Sequence, residues 1–225
     1  MTALEDANLR RYYDQRAAEY EQIYRPRDEG HARELGELAR ELRTALEGRR
    51  VLEVACGTGY WTGCAAKVAR AVTATDASLA MLAEAREKAL PANVTLRFGD
   101  AYHLAAVDGE FDAGLAMFWV SHVPRARLRA FLDALHARLL PGSIVYFADS
   151  VYLPGVGGEL LPADGSGDTY KLRRLADGGR HRVLKNYFSE RELAGLLAPG
   201  TSDLAIRMGS HFWSARYRVI SARQA

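Results

Sequence analysis

Cysteine is scarce in this 225-residue sequence, and long apolar runs are missing. The two cysteines, Cys56 and Cys64, have a spacing that matches no zinc or redox motif, so we expect reduced thiols. The longest apolar runs, Gly114–Val120 and Ile144–Ala148, are too short to cross a bilayer. Residues Met1–Arg11 lack the basic and apolar regions of a secretion signal. We therefore expect a cytoplasmic protein with no membrane partner.

A large excess of charge of one sign is also absent. Lysine and arginine together number 30, against 28 for aspartate and glutamate, and this net charge of +2 does not call for nucleic acid as a partner. The histidines show no metal-ligand spacing, so we predict no metal. The chain is 48% hydrophobic and 26% charged, which excludes a disordered chain and fits one globular domain.

Strand-like apolar segments alternate with helical segments along most of the chain. The predicted strands are Val51–Ala55, Val72–Thr75, Val94–Phe98, Phe111–Met117 and Ser143–Ala148. The predicted helices are Asn8–Tyr24, Leu35–Leu46, Tyr60–Arg70, Leu79–Ala89 and Ala126–Leu139. Alternation at this spacing favours parallel strands joined by right-handed crossovers. The fold class is therefore α/β, a Rossmann-like, doubly wound, mostly parallel sheet with an N-terminal helical cap.

The alternation stops after Asp149. Residues 153–168 are rich in glycine and proline and are predicted to form a loop, and residues 170–187 predict an inserted β-hairpin around Asp177-Gly178-Gly179. Residues 204–220 predict a closing hairpin that completes a seven-stranded sheet. We divide the single domain, 1–225, into a helical cap (1–47), a cofactor-binding core (48–149), an insertion over the active site (150–188) and a closing helix and hairpin (189–225).

The most informative segment is a strand that runs into a glycine turn. Val51–Ala55 leads through Cys56-Gly57-Thr58-Gly59 into a helix, which lets a ligand approach the backbone at the carboxyl edge of the sheet. Asp76 ends the next strand, where an acid can hold a ribose diol. The third glycine of a dinucleotide fingerprint is replaced by Thr62, and Glu53 would repel a pyrophosphate. The same carboxylate favours a ligand with a cationic amino-acid head.

These segments resemble motifs of the class I S-adenosylmethionine-dependent methyltransferases of the small-molecule type. Glu53 with Cys56-Gly57-Thr58-Gly59 is similar to the first motif of that family, and Asp76-Ala77-Ser78 with Met81 is similar to the second. Further matches are Phe98-Gly99-Asp100-Ala101, Phe111-Asp112, Phe118, Ser121-His122-Val123-Pro124, Pro141-Gly142-Ser143 and the helical signature Tyr13–Tyr20. The resemblance covers most of residues 12–150.

The resemblance implies that S-adenosyl-L-methionine is the cofactor and S-adenosyl-L-homocysteine the product. Gly57 and Gly59 would pass close to the methionyl part, and Asp76 would hold the ribose hydroxyls. Asp100 would accept a hydrogen bond from the adenine amine, and Phe118 would lie near the sulfonium. The full set of expected cofactor-binding residues is Glu53, Cys56, Gly57, Gly59, Asp76, Ala77, Met81, Asp100, Ala101, Phe118 and Tyr20.

Methyl transfer from a sulfonium is an in-line displacement, so it needs alignment and exclusion of water more than it needs a base. We leave the catalytic residue unassigned, with His122 and Tyr13 as candidates. The candidate substrate contacts are Tyr13, His122, Asp149 and Tyr152. Structural roles remain open for these positions: His122 can bond to backbone, Tyr13 and Tyr20 can form the buried face of a helix, and Asp149 can cap a loop.

Basic residues cluster on the predicted inserted hairpin. Lys171, Arg173 and Arg174 precede the turn, and Arg180 and Arg182 follow it. This charge would suit an acidic substrate, although exposed hairpins are commonly charged.

The function that these features predict is transfer of a methyl group to an oxygen, nitrogen or carbon of a small-molecule substrate. Three alternatives stay open: a tRNA-modifying methyltransferase, an NAD-dependent oxidoreductase and a non-catalytic cofactor-binding protein. The sequence does not specify the acceptor or the oligomeric state.

Overall fold

A computed structural model describes residues 3–161 and 165–220 of the chain. Its strands are β1 (Arg50–Val54), β2 (Ala71–Asp76), β3 (Val94–Phe98), β4 (Phe111–Met117), β5 (Leu139–Ser150), β6 (Glu159–Leu161), β7 (Tyr170–Arg174), β8 (Arg180–Leu184), β9 (Thr201–Met208) and β10 (Phe212–Val219). Its α-helices are α1 (Ala3–Arg16), α2 (Glu29–Leu46), α3 (Tyr60–Ala66), α4 (Leu79–Glu87), α5 (Leu128–His136) and α6 (Glu190–Leu197).

The main sheet has seven strands in the order β3-β2-β1-β4-β5-β10-β9. The first five strands of the chain pair in parallel, and β10 is antiparallel to both β5 and β9. The chain winds outward from β1 to β3 and then returns to add β4 on the other side of β1. The strand order therefore reverses between β1 and β4, where doubly wound sheets bind their ligands at the carboxyl ends of the strands.

Helices cover both faces of the sheet because its central strands are apolar on both sides. Leu52 and Val54 of β1 pack in one cluster with Phe131 of α5, and Val51 packs in the other with Leu42 of α2. All five side chains are fully buried. The sequence prediction of a doubly wound, mostly parallel seven-stranded sheet is confirmed.

The N-terminal aromatic helix differs from the prediction of one continuous helix over residues 8–24. It is α-helical only to Arg16, and Ala17–Tyr24 forms a 3₁₀ helix. The rings of Tyr20 and Tyr24 meet edge to face in this tighter segment, and Tyr24 stacks on Tyr60 at 4.1 Å between ring centroids. Packing of these rings against α3 accompanies the change in helix type.

The predicted hairpin is part of a separate three-stranded antiparallel sheet, β6-β7-β8. The additional strand, β6, lies within the segment 153–168 that the glycine and proline content predicted as loop. Its residues pair with β7, so contacts that are distant in sequence outweigh the local loop signal.

Strand β5 begins four residues earlier than predicted, at Leu139 rather than Ser143. Leu139 pairs with Phe111, and the register shifts before Ile144 pairs with Ala113. Gly142 has a φ of 78° in this irregular stretch, a conformation that glycine adopts without steric cost. Helix α5 accordingly ends at His136, before the predicted end at Leu139. The predicted helices Tyr60–Arg70 and Leu79–Ala89 are also shorter, ending at Ala66 and Glu87.

Within the described ranges, the helices are all too short or too polar to traverse a bilayer. The same residues contain no cluster of three or more histidine, cysteine, aspartate or glutamate side chains arranged to hold a metal ion.

Candidate active site

The carboxyl ends of β1, β2, β3 and β4 converge on one cleft. Two residues that follow these strands have positive φ angles although they carry side chains: Ala55 after β1, at 53°, and Phe118 after β4, at 58°. This conformation is costly for a residue other than glycine and is found most often at functional sites. Both residues line the cleft.

Asp76 ties the glycine turn to the start of α4. One carboxylate oxygen accepts a hydrogen bond from the backbone N–H of Gly57 at 2.8 Å, and the other accepts one from the N–H of Ser78 at 2.8 Å. The side chain of Ser78 caps α4 by accepting from the N–H of Met81. Burial raises the pKa of Asp76, while these backbone donors lower it.

Glu53 lies behind the glycine turn and is almost completely buried, with 1% of its surface exposed. Burial raises the pKa of this carboxyl to about 8. Its Oε2 atom has no hydrogen-bond partner among the described residues. The carboxyl is therefore protonated near neutral pH, and a cationic group bound close to it would favour its ionised form.

The first cavity has a volume of about 800 Å³, including its open mouth. Its lining includes these predicted site residues: Tyr13, Tyr20, Gly57, Asp76, Ala77, Met81, Asp100, Ala101, Phe118 and His122. Glu53, Cys56 and Gly59 are not among the lining residues. Cys56 is packed in the core, and Gly59 faces α4, where an added Cβ would lie 3.2 Å from Cβ of Ala85.

Asp100 turns the chain after β3 at the edge of the first cavity. Its Oδ1 accepts a hydrogen bond from the N–H of Tyr102, and its Oδ2 lies 3.3 Å from Nδ1 of His103. Tyr102 also lines the cavity, together with Trp119. Sequence reasoning did not predict either ring, because neither falls in one of the recognised motifs.

A second cavity, of about 1,240 Å³ including its open mouth, adjoins the first. Four residues line both cavities: Tyr13, Tyr20, Phe118 and His122. The remaining walls of the second cavity come from the N-terminal helices, from the segment 150–187, and from His211 and Phe212 at the start of β10. The two cavities thus meet at one aromatic partition.

His122 and Tyr13 are hydrogen-bonded to each other in that partition. The Tyr13 hydroxyl lies 2.8 Å from Nε2 of His122, whose Nδ1 lies 2.7 Å from the carbonyl oxygen of Leu184. Because a carbonyl can only accept, Nδ1 carries the proton and Nε2 accepts from the Tyr13 hydroxyl. Burial, followed by the charge of Lys185, lowers the pKa of His122 to about 3. The imidazole is therefore neutral and already engaged, which makes it a weak base.

Asp149 and Tyr152, two predicted substrate contacts, do not line either cavity. Asp149 is fully buried and accepts hydrogen bonds from Nζ of Lys185 at 2.8 Å and from the N–H groups of Ser121 and Ser150. The charge of Lys185 lowers the pKa of Asp149 against the effect of burial. Tyr152 is 43% exposed and packs edge to face on Tyr187.

Several lining residues of the second cavity were not predicted as site residues. They are Arg16, Arg27, His31, Lys185, Tyr187, His211 and Arg173. Of these, only Arg173 was singled out from the sequence, as one of the basic residues on the hairpin. Their sequence positions are widely separated, so no spacing identifies them as a group. The one available signal was the run of basic residues on the hairpin.

The family and the curated proteins that this chain resembles are methyltransferases by description. The methyltransferase-domain family matches residues 51–142. A ubiquinone biosynthesis O-methyltransferase of Xanthomonas campestris pv. campestris is 30% identical over 184 residues, covering 80% of this chain and 74% of that protein. A malonyl-[acyl-carrier protein] O-methyltransferase of Pectobacterium atrosepticum is 36% identical over 118 residues, covering 50% of this chain and 43% of that protein.

Solved structures extend the similarity over nearly the whole chain. The complex of DhpI with SAH has a TM-score of 0.78 at 30% identity, covering 98% of this chain and 100% of that chain. SAM-bound CalS10, an amino pentose methyltransferase from Micromonospora echinaspora, has a TM-score of 0.60 at 25% identity, covering 88% of this chain and 95% of that chain.

A doubly wound sheet with a glycine turn and an acid at the ends of adjacent strands defines a class of enzymes that bind nucleoside-containing cofactors. Within this class, the chain belongs to the family of S-adenosylmethionine-dependent methyltransferases. It is an enzyme of that family, and its cofactor is S-adenosylmethionine rather than NAD. The family, the fold, the cofactor and the reaction predicted from the sequence are confirmed.

Proposed function

We propose that this methyltransferase transfers the methyl group to an oxygen of a small acceptor held in the second cavity. One observation carries the proposal: the two cavities share a single partition, formed by Tyr13, Tyr20, Phe118 and His122. Because the cavities adjoin at these residues, reactants bound in them would be neighbours, as an in-line displacement requires. The choice of oxygen is supported by the relatives, which are O-methyltransferases by name.

The residues of the first cavity fit S-adenosylmethionine. Asp76 supplies a carboxylate for the ribose hydroxyls, and Asp100 supplies one for the adenine amine. Met81 offers a buried apolar wall for the base. Glu53 lies behind the glycine turn and outside the cavity lining, and its unpartnered Oε2 favours a cationic amino-acid end bound near the turn. We propose these roles for the four residues.

The helical cap (1–47) and the insertion (150–188) would enclose the acceptor. Arg16 and Tyr24 of the cap line the second cavity from one side, and Gly157, Arg173 and Tyr187 of the insertion line it from another. Enclosure on both sides would keep water away from the reacting atoms and hold the acceptor in one orientation.

When bound, S-adenosylmethionine supplies an electrophilic methyl group on a sulfonium. The protein's part is to align the acceptor and to exclude water, because the neutral Tyr13–His122 pair offers no strong base. An acceptor that arrives already ionised at the reacting oxygen needs no base at all.

Calorimetric titration with S-adenosylhomocysteine tests the cofactor site. We expect the wild-type protein to bind it and the Asp76→Ala variant to bind it at least about 10-fold more weakly, since a hydrogen bond to a charged group is lost. Asp108→Ala is the matched control, because Asp108 has 90% of its side chain exposed and does not line either cavity. Equal binding by Asp76→Ala and wild type would contradict the assigned role of Asp76, and binding of NAD in place of S-adenosylhomocysteine would contradict the proposal.

A further inference from the structure

The lysine and arginine side chains that line the second cavity make its charge positive. They are Arg16, Arg27, Arg173 and Lys185, and none of the lining residues among those the structure describes is an aspartate or glutamate. Lys185 is neutralised by its buried ion pair with Asp149, and Arg27 is exposed to solvent. The two remaining cations, Arg16 and Arg173, are partly buried and carry the argument.

Arg173 projects from β7 into the cavity without a counterion. Its Nε atom is buried and has no hydrogen-bond partner, and no carboxylate of the described residues forms an ion pair with it. Its guanidinium lies against Gly157, where an added Cβ would collide with Nη1. Burial is the main cause that lowers the pKa of His122 and of Lys185, and the charge of Arg173 lowers both further. Arg173 lines the second cavity together with His122 and Tyr20 of the aromatic partition.

Arg16 is the second cation without a counterion. Its Nη1 donates to the Tyr12 hydroxyl at 2.9 Å, and its guanidinium carbon lies 5.3 Å from the centre of the Tyr20 ring. In the described part of the chain, no carboxylate lies within ion-pairing distance of it. Contacts with aromatic rings orient the guanidinium but do not neutralise it.

His31 adds a buried polar group to the same cavity. Its side chain is fully buried, and neither ring nitrogen has a hydrogen-bond partner in the described structure. Burial lowers its pKa, so the neutral ring offers one N–H donor. Buried polar groups are normally hydrogen-bonded, and buried cations are normally paired. The two arginines lack an anionic partner, and His31 lacks a hydrogen-bond partner; a group that carries negative charge and accepts hydrogen bonds would supply both.

We propose that the second cavity binds the acceptor through an oxyanion, a carboxylate or a phosphoryl group, held by Arg16 and Arg173. The planar guanidinium matches the oxygens of both groups and can bind two of them at once. This inference rests on the proposed function, because it names the substrate class of the same site. It accounts for the single sign of charge in the cavity.

The test measures anion binding to protein that has first been saturated with S-adenosylhomocysteine. Inorganic phosphate and acetate are titrated separately at constant ionic strength, with binding followed by calorimetry. We expect at least one of them to bind, and we expect Arg173→Gln and Arg16→Gln each to weaken that binding by about 10- to 100-fold. Arg174→Gln and Arg11→Gln are matched controls, because both arginines are exposed and do not line the cavity.

Comparing the two anions shows whether the acceptor carries a carboxylate or a phosphoryl group. Preferential binding of acetate supports a carboxylate acceptor, and preferential binding of phosphate supports a phosphoryl acceptor. If neither anion binds to the wild-type protein, or if Arg173→Gln binds the anion as tightly as the wild-type protein does, the proposal is wrong. If Arg16→Gln weakens binding of S-adenosylhomocysteine but not binding of the anion, Arg16 contacts the cofactor and its proposed role is wrong.

Failure of the proposed function has a different signature. A protein that does not bind S-adenosylhomocysteine would refute the cofactor site, and the anion titrations are therefore repeated without it. Circular dichroism and the affinity for S-adenosylhomocysteine show that each variant is folded. Loss of anion binding with unchanged affinity for S-adenosylhomocysteine supports the oxyanion site independently of activity.

Discussion

Replacing Glu53 with glutamine should change how the stability of the protein depends on pH. Burial raises the pKa of this carboxyl to about 8 in the folded protein, whereas the ordinary value is 4.5. As the pH rises above 4.5, the unfolded chain releases this proton while the folded protein retains it. Stability is therefore greatest below the unfolded pKa and is lost as the pH rises through the folded pKa.

The magnitude follows from the difference between the two pKa values. Each tenfold difference in proton affinity is worth about 1.4 kcal/mol. Between pH 5 and pH 8, the free energy of unfolding of the wild-type protein should fall by roughly 3 kcal/mol relative to Glu53→Gln, which has nothing to titrate at this position. No reduction for solvent screening applies, because Glu53 is only 1% exposed.

Urea unfolding of both proteins at a series of pH values from 5 to 9 measures this difference. Glu47→Gln is the matched control, because Glu47 is exposed at the end of α2 and should follow the wild-type curve. A constant difference between wild type and Glu53→Gln across the whole range would refute the reasoning. It would mean that the carboxyl keeps an ordinary pKa, through water or a partner that neutralises the effect of burial.

Other predictions concern the ion pair, the partition histidine and one helix cap. Lys185→Met should lower the free energy of unfolding by about 3–5 kcal/mol, since it leaves the buried Asp149 charge unpaired. The double variant Lys185→Met with Asp149→Asn should recover part of this loss in urea unfolding. If the single and the double variant lose the same free energy of unfolding, the pairing is contradicted. The His122 ring should stay neutral from pH 5 to pH 8, because its pKa is lowered to about 3. Ring-nitrogen NMR shifts that change over this range, as they do when an imidazole is protonated, would contradict this. Ser189→Ala removes the capping box of α6 and should cost about 1 kcal/mol in thermal unfolding, whereas Ser202→Ala at an exposed position of β9 should cost little; equal effects would argue against the cap.

The acids and the glycine turn of the proposed cofactor site lie together in one cleft, as the sequence predicted, because the position of each depends on a local pattern. Asp76 and Asp100 follow strands that apolar runs reveal, and Gly57 follows the strand before them. The carboxyl ends of adjacent parallel strands must meet at one edge of the sheet. Strand positions and topology were therefore enough to bring these residues to one cleft.

The surroundings of the candidate substrate contacts depended on tertiary contacts that no local pattern encodes. Asp149 lies one residue before the end of β5 at the expected edge, yet Lys185 and two backbone N–H groups enclose its carboxylate. Tyr13 lies on the face of a helix, and only the docking of that helix brings its hydroxyl to His122. Sequence reasoning left a structural and a functional role open for each of these residues.

The sequence by itself determined the sheet, because hydrophobic periodicity is a property of short segments. The cofactor and the reaction followed from the resemblance of short motifs, such as Glu53–Gly59, to those of the methyltransferase family. Tertiary structure alone decided which cations line the second cavity. Arg16 and Arg173 come from a helix and a strand far apart in the chain, and both line one cavity only after the cap and the insertion have folded over the sheet. The physical reason is that secondary structure follows from neighbours along the chain, whereas the charge of a cavity is the sum over all the elements that enclose it.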